Sequence, residues 1–275
     1  MNNPELYDKY ACHVVNATKK ILDDFIHLIK TPKYGKKSAI DIGSGPGKVT
    51  KNILFPLLED SVDELLGIDS NELMVKYAND NYSNNQVSFK THNIENNIPS
   101  EFVKSFDHVF SFWTLHWVKD HNNLFKNINK LLKPGGNMLI SFIARSDLCD
   151  IYQKLWIREP WQKYITDAVK GHSIYQNCGQ PIEKVTKYLT EAGFDVQLCT
   201  TIHHDYLCEN LEEVKGLFQS LIPVYDEIPK ELQKQFLEEH VKELAIIDNN
   251  FVTNYNLFVI CATKSSTYQV SDLQD

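Results

Sequence analysis

The sequence predicts an α/β fold: a mostly parallel sheet of seven strands with helices on both faces. Three observations carry this. Short apolar runs of strand length alternate with amphipathic helical stretches between residues 38 and 143. The first strand enters its helix through Ser38-Ala-Ile-Asp41-Ile-Gly43-Ser-Gly45-Pro-Gly47, whose three alternating glycines allow a tight turn beneath a small ligand. Asp69 closes the second strand, where an open α/β sheet presents groups to a ligand outside its carboxyl ends.

The elements follow in order. Val14, Thr18, Ile21, Leu22 and Phe25 recur at helical spacing and predict an amphipathic helix over 10–30 that covers the sheet. Strand 38–42 and the glycine turn lead to a helix from Val49 to Leu54, which Pro56 should end by driving Phe55 out of the α region. Next come a strand to Asp69, a helix over 71–79 and the strand Val87-Ser-Phe-Lys-Thr-His-Asn93. The fourth strand, Phe106-Asp-His-Val-Phe-Ser-Phe112, opens into the loop Trp113-Thr-Leu-His-Trp117. A helix capped by Asp120 then places Leu124, Ile128 and Leu131 inward and stops at Lys133-Pro-Gly-Gly136. A fifth strand over 137–143 completes the doubly wound core.

Beyond residue 143 the alternation loosens. Tyr152, Trp156, Trp161, Tyr164 and Tyr175 at helix-like spacing predict a helical lid over about 145–180. A second helical insertion is expected over about 208–245, within a single domain spanning 1–275. Between and after them lie a helix over 183–192 closed by Gly193, a strand over 194–206 and a last strand over 254–263.

Composition narrows the function. A formal charge of −8 argues against a nucleic-acid backbone as partner, which needs a clustered basic face. The longest apolar runs have strand length, so no membrane span is expected. Six cysteines without a C-x-x-C pair and a polar N-terminus point to thiols in a cytoplasmic protein. A small-molecule substrate fits best, and the oligomeric state stays open.

The glycine turn reads G-x-G-x-G, with Lys48 where the dinucleotide fingerprint has its third glycine. That spacing disfavours an NAD site. Amide groups opening the following helix can hold a carboxylate, and Asp69 can accept from both ribose hydroxyls.

Together with Asn93-Ile94-Glu95, the fourth-strand block and Leu131-Leu-Lys-Pro-Gly-Gly136, the turn resembles class I S-adenosylmethionine-dependent methyltransferases, a Rossmann-like fold. More narrowly, Pro4-Glu-Leu-Tyr7 and Thr114-Leu-His-Trp-Val-Lys-Asp120 resemble the insect juvenile hormone acid methyltransferases of juvenile hormone biosynthesis. The resemblance implies S-adenosyl-L-methionine as cofactor. Asp41, Gly43, Gly45 and Gly47 would line its methionine end, Asp69 with Ser70 the ribose, and Asn93 with Ile94 the adenine. Ser111 would sit beside the transferred methyl.

Two departures stand out: Asn93 replaces the usual adenine-binding Asp, and Val14 occupies the place of a substrate-binding Gln on the N-terminal helix, with His13 and Asn16 beside it. Substrate binding is therefore expected from His13, Val14 and Trp117. His116, in the loop after the fourth strand, is a candidate general base or a residue that orients the loop.

Trp113, Trp117, Trp156 and Trp161 could wall an apolar pocket, with at least one expected in the ordinary core. His203-His204-Asp205 is expected to be an exposed strand edge, since adjacent strand residues point to opposite faces; no metal site is expected. The reading is methyl transfer to the carboxylate of a small apolar acid of the juvenile hormone acid or farnesoic acid type, forming a methyl ester. A methyltransferase for another acceptor, or a noncatalytic cofactor-binding protein, stays open.

Overall fold

A computed structural model describes residues 3–29, 37–165, 173–208, 210–222 and 224–266. The sheet is built on strand β1 (Ser38–Ile42), whose five residues are all buried because helices cover both of its faces. On one side it pairs in parallel with β2 (Glu64–Asp69), which pairs with β3 (Val87–Thr91). On the other lie β4 (Phe106–Phe112) and β5 (Leu132–Ser146), again parallel. Antiparallel β8 (Asn250–Lys264) separates β5 from β6 (Phe194–Cys208), giving the order β3-β2-β1-β4-β5-β8-β6. These are the seven expected strands. A short β7 (Ala245–Ile247) pairs with β8 as an addition.

The register decides where a ligand can go. Asp41 lies level with Gly67 of β2 and Phe110 of β4, and Asp69 is level with Thr91 of β3. The carboxyl ends of β1 to β4 therefore share one rim. Strand order reverses between β1 and β4, which leaves a crevice at that rim.

Helices α1 (Pro4–Tyr10) and α2 (Cys12–Phe25) precede the sheet. Asn3 caps α1 by accepting from the Leu6 amide, and Pro4 opens it without losing a hydrogen bond. The expected helix after the glycine turn continues past Pro56. A π-helical turn over Thr50–Leu54 feeds α3 (Phe55–Leu58), and Phe55 keeps α-helical angles of φ −57° and ψ −45°. Proline falls in the first turn of α3, where its missing amide is tolerated.

The remaining helices are α4 (Glu72–Tyr82), α5 (His121–Leu131), α6 (Asp147–Leu155), α7 (Pro181–Glu191), α8 (Leu211–Leu221) and α9 (Lys230–Lys242). Asp120 caps α5 as expected, accepting from the Asn123 amide at 3.0 Å. Lys133-Pro-Gly-Gly136 is already part of β5, so that strand starts earlier than the glycines suggest.

Helices α6 and α8 both pack against α9, with α6 resting on β5 and β8 and α8 on β6 and α1. Trp156 Nε1 donates to His240 Nε2 at 3.0 Å and Trp161 Nε1 donates to Glu239 at 2.6 Å, tying this group to α9. Tyr10 lies so close to Gly216 of α8 that an added Cβ would come within 2.6 Å of its ring. Residues 166–172 of the expected lid and the tail beyond 266 fall outside the described residues.

Candidate active site

The glycine turn takes the shape its sequence requires. Gly43, Gly45 and Gly47 have φ of +73°, +53° and +92°, a region that L side chains rarely adopt. At Gly43 a Cβ would lie 2.1 Å from the Thr114 side chain, whereas at Gly45 it would meet open space. Gly45 therefore borders a void, and Gly43 lets the loop after β4 close onto the turn. The Gly43 and Ser44 amides donate to the Ile68 carbonyl at 2.7 and 3.0 Å, which locks the turn to the end of β2.

A cavity of about 290 Å³ opens at this rim. Gly43, Gly45, Asp69, Ser70, Asn93 and Ile94, named from the sequence as cofactor residues, line it, and Tyr7, Thr114, Trp113 and Trp117 are also part of its wall. Asp69 accepts from the Gly45 amide at 3.0 Å and the Asn71 amide at 2.9 Å, leaving one further lone pair on each oxygen. Asn93 Oδ1 accepts from the Glu95 amide at 3.0 Å.

Asp41 borders an adjoining space of about 50 Å³, together with Ser44 and Lys48. Burial pushes its carboxyl up to about 7; the Thr50 hydroxyl, donating at 2.6 Å, opposes this, and nearby Asp69 adds to it. Asp69 is likewise raised by burial. Two acids held reluctantly at the glycine turn suit a cationic ligand. The Ser44 hydroxyl, buried and without a partner, is a further group left for one. A cofactor with a carboxylate, an ammonium, a sulfonium, a ribose and a base fits this set.

Two expected cofactor residues lie elsewhere. Gly47 packs inward, where a Cβ would come within 2.9 Å of Ala78 and Phe89; its role is close packing of helix on sheet. Ser111 is fully buried and donates to the Ile42 carbonyl at 2.7 Å, tying β4 to β1.

A second, narrower cavity of about 60 Å³ lies against the first and shares Tyr7, Trp113 and Trp117 with it. His13, Val14, His116 and Trp117, the expected substrate and catalytic residues, all line it. Its remaining wall is Ile143, Ser146, Leu148, Cys149, Tyr152, Leu221 and Tyr255, so no Asp, Glu, Lys or Arg among the described residues contributes. Trp156 and Trp161 are not part of this wall; they belong to the helical packing described above. Among the histidine pair on β6, His203 is exposed and pairs with Asp205, but His204 turns inward, its ring 6.2 Å from Trp113. The exposed edge expected for the pair therefore holds for His203 and not for His204.

Several residues that build the site were not singled out by the sequence. The Asp8 carboxylate of α1 receives Lys48 at 3.2 Å and the Tyr82 hydroxyl at 2.9 Å, while Lys48 also donates to the Asp8 carbonyl. Lys48, which stands in place of a third fingerprint glycine, thus straps α1 across the turn and sets Tyr7 in both cavities. His121, held neutral because burial lowers it to about 4, donates from Nε2 to the Leu115 carbonyl and accepts the Tyr175 hydroxyl on Nδ1. This anchors the loop that carries His116 and Trp117. The Asn3-Pro4 pair is the cap signal that could have revealed α1.

Comparison with known proteins places this geometry. A methyltransferase domain profile matches residues 40–140. Juvenile hormone acid O-methyltransferase of Bombyx mori is 32% identical over 279 aligned residues, covering 96% of this chain and 98% of that protein. The chain belongs to the juvenile hormone acid O-methyltransferase family. The Drosophila melanogaster protein of the same name is 28% identical, covering 98% of this chain and 94% of its own. The fold matches a Haemonchus contortus phosphoethanolamine N-methyltransferase, solved with phosphomonomethylethanolamine and S-adenosylhomocysteine, at a TM-score of 0.52 and 19% identity, covering 91% of this chain and 53% of that one. The protein is a class I methyltransferase that uses S-adenosylmethionine, and the full-length match does not favour a noncatalytic binding protein.

Proposed function

We propose that this enzyme esterifies a long apolar acid of the farnesoid type, juvenile hormone acid or farnesoic acid, in the cytoplasm. The observation that carries the reading is the second cavity. Its wall is apolar and aromatic, no charged side chain among the described residues lines it, and it shares Tyr7, Trp113 and Trp117 with the cofactor cavity. The curated relatives named above are juvenile hormone acid O-methyltransferases, which supports the same acceptor class.

Bound, the cofactor supplies a methyl carried on a positively charged sulfur. Asp69 with Ser70 would hold its ribose, Asn93 and Ile94 its adenine, and Asp41 with Gly43 and Gly45 its methionine end. The acceptor's carboxylate is already ionised at pH 7 and needs no base. Catalysis then rests on positioning. Tyr7, Trp113 and Trp117 fix the boundary across which the two reacting atoms meet, and the helices within 145–180 and 208–245 act as the lid that excludes water. His116 orients the loop.

A chain-length panel tests this. Turnover with methyl-labelled cofactor should be high for long apolar acids and poor for short dicarboxylic acids, and Trp117→Ala should be severely impaired. Preference for short polar acids, or wild-type turnover in Trp117→Ala, would overturn the acceptor assignment.

A further inference from the structure

Three buried polar atoms on residues that line the acceptor cavity have no hydrogen-bond partner: His13 Nδ1, Trp113 Nε1 and Tyr255 Oη. They come from α2, from the residue after β4 and from the middle of β8. The three residues are 2%, 7% and 2% exposed, so bulk water does not satisfy them. Their rings converge, with centroids 5.4 Å apart for His13 and Trp113, 5.2 Å for Trp113 and Tyr255, and 6.1 Å for His13 and Tyr255. Folded interiors rarely leave one such group unpaired. Three on residues that line one cavity point to a ligand that pairs them.

The chemistry of that ligand follows from the donors. Indole nitrogen only donates. The Thr253 hydroxyl beside Tyr255, itself unpartnered, can donate to the phenol oxygen, which leaves the phenol proton for the cavity. Burial, with His204 adding to it, drives His13 down to about 3, so its imidazole stays neutral and offers at most one ring proton. The group received must accept several hydrogen bonds at once.

Trp113 reaches this place through φ of +59°, a costly conformation for a tryptophan and one that marks a position held for use. Val14, beside His13, brings no polar group to the cavity.

We propose that Trp113 Nε1 and Tyr255 Oη, assisted by His13 Nδ1, form the subsite that binds the acceptor's carboxylate. This rests on the ester-forming reading above. A neutral donor set suits the reaction: a carboxylate oxygen uses a lone pair to bond the methyl carbon while the carbon–sulfur bond breaks, its electron pair staying on sulfur. The acceptor's negative charge and the sulfonium's positive charge cancel, and no proton leaves. An arginine or lysine would stabilise the charged acid more than the less charged transition state and so slow the step. Neutral donors orient the acid with less of that penalty.

The test compares dodecanoic acid with 1-dodecanol as ligands of the S-adenosylhomocysteine complex, in the wild type and in Trp113→Phe, Tyr255→Phe and Trp117→Phe. Phenylalanine keeps a ring and removes the donor. Trp113→Phe and Tyr255→Phe should each weaken dodecanoic acid about tenfold, the loss of one hydrogen bond to a charged acceptor, and leave dodecanol unchanged. S-adenosylhomocysteine affinity within about twofold of wild type verifies that each variant is folded. Preference for the acid retained in both variants but lost in Trp117→Phe would overturn the proposal, the three atoms then holding only buried water. Wild-type enzyme that prefers the acid through these donors yet forms no methyl ester from any acid would instead overturn the ester-forming reading and leave the subsite standing.

Discussion

Asp41→Asn should stabilise the ligand-free protein while crippling cofactor binding. The wild-type carboxyl is 2% exposed, has the Thr50 hydroxyl as its side-chain donor, and is pushed up to about 7 by burial. A carboxyl raised in the folded state keeps its proton there while the unfolded chain has already lost it. Folding is therefore penalised progressively from about pH 4 to pH 7, at about 1.4 kcal/mol per pH unit, and the penalty stays constant above that window. A shift of about three units sets a ceiling of about 4 kcal/mol at pH 8. Asparagine escapes this penalty and keeps an oxygen for Thr50, but it introduces an amide whose lack of a partner costs about 1–3 kcal/mol.

The net gain at pH 8 should be about 1–3 kcal/mol, several degrees in Tm for a chain of this size. Urea unfolding of both proteins in a series from pH 4.5 to 8 measures the difference, in which titrating groups not coupled to Asp41 cancel. The difference should climb with pH up to about 7 and then level off. A difference that does not change with pH, or that favours wild type increasingly as pH rises, would refute the assignment of a reluctant buried acid to this turn. The same series with S-adenosylhomocysteine should stabilise wild type and leave Asp41→Asn nearly unmoved.

Asp69→Ala should weaken S-adenosylmethionine and S-adenosylhomocysteine by about 1.5–3 kcal/mol in calorimetry, since hydrogen bonds to a charged acceptor vanish, and NADH should not bind. Gly43→Ala places a methyl 2.1 Å from the Thr114 side chain at φ of +73°; it should cost about 2 kcal/mol or more in denaturant unfolding and open the loop after β4. Single-turnover rates should be nearly flat from about pH 6 to 8.5, and His116→Asn should retain much of the rate, because a carboxylate acceptor is ionised throughout that range. A steep rise through neutral pH that disappears in His116→Asn would mean base-assisted methylation of a phenol or amine.

The parallel half of the molecule was open to sequence reading at most positions because local rules act there with few rivals. Apolar strands 38–42 and 106–112 end at ligand-facing residues, and the glycines at 43 and 45 can be explained only by backbone that needs positive φ. Asp69 followed from its strand end, whereas Asn93 and Ile94 came only with the family resemblance. Errors arose where tertiary contacts override local rules. Pro56 was read as a helix stop, yet a π turn before it lets the helix run on. Gly47 looked like a ligand contact by spacing and Ser111 by resemblance, but Phe89 and the Ile42 carbonyl claim them.

The acceptor side was least legible. Trp113 and Tyr255 lie 142 positions apart and meet only because β8 inserts beside β5. His204 faces inward for the same reason, packed at the level of Tyr255 across the β6–β8 pair. No periodicity in the sequence encodes that pairing. Lys48 illustrates a subtler case: its spacing excluded a dinucleotide fingerprint, while its positive role, strapping Asp8 and thus Tyr7 over the site, needed the fold.

The central claim is ester formation on a long apolar acid. Its most direct measurement is mass spectrometry of the product after incubation with S-adenosylmethionine labelled in the transferred methyl and farnesoic acid. The account predicts a methyl ester that carries the label, releases labelled methanol on mild alkaline hydrolysis and returns the unlabelled acid. Label found on nitrogen, carbon or a phenolic oxygen of another acceptor, with farnesoic acid left unesterified, would contradict it.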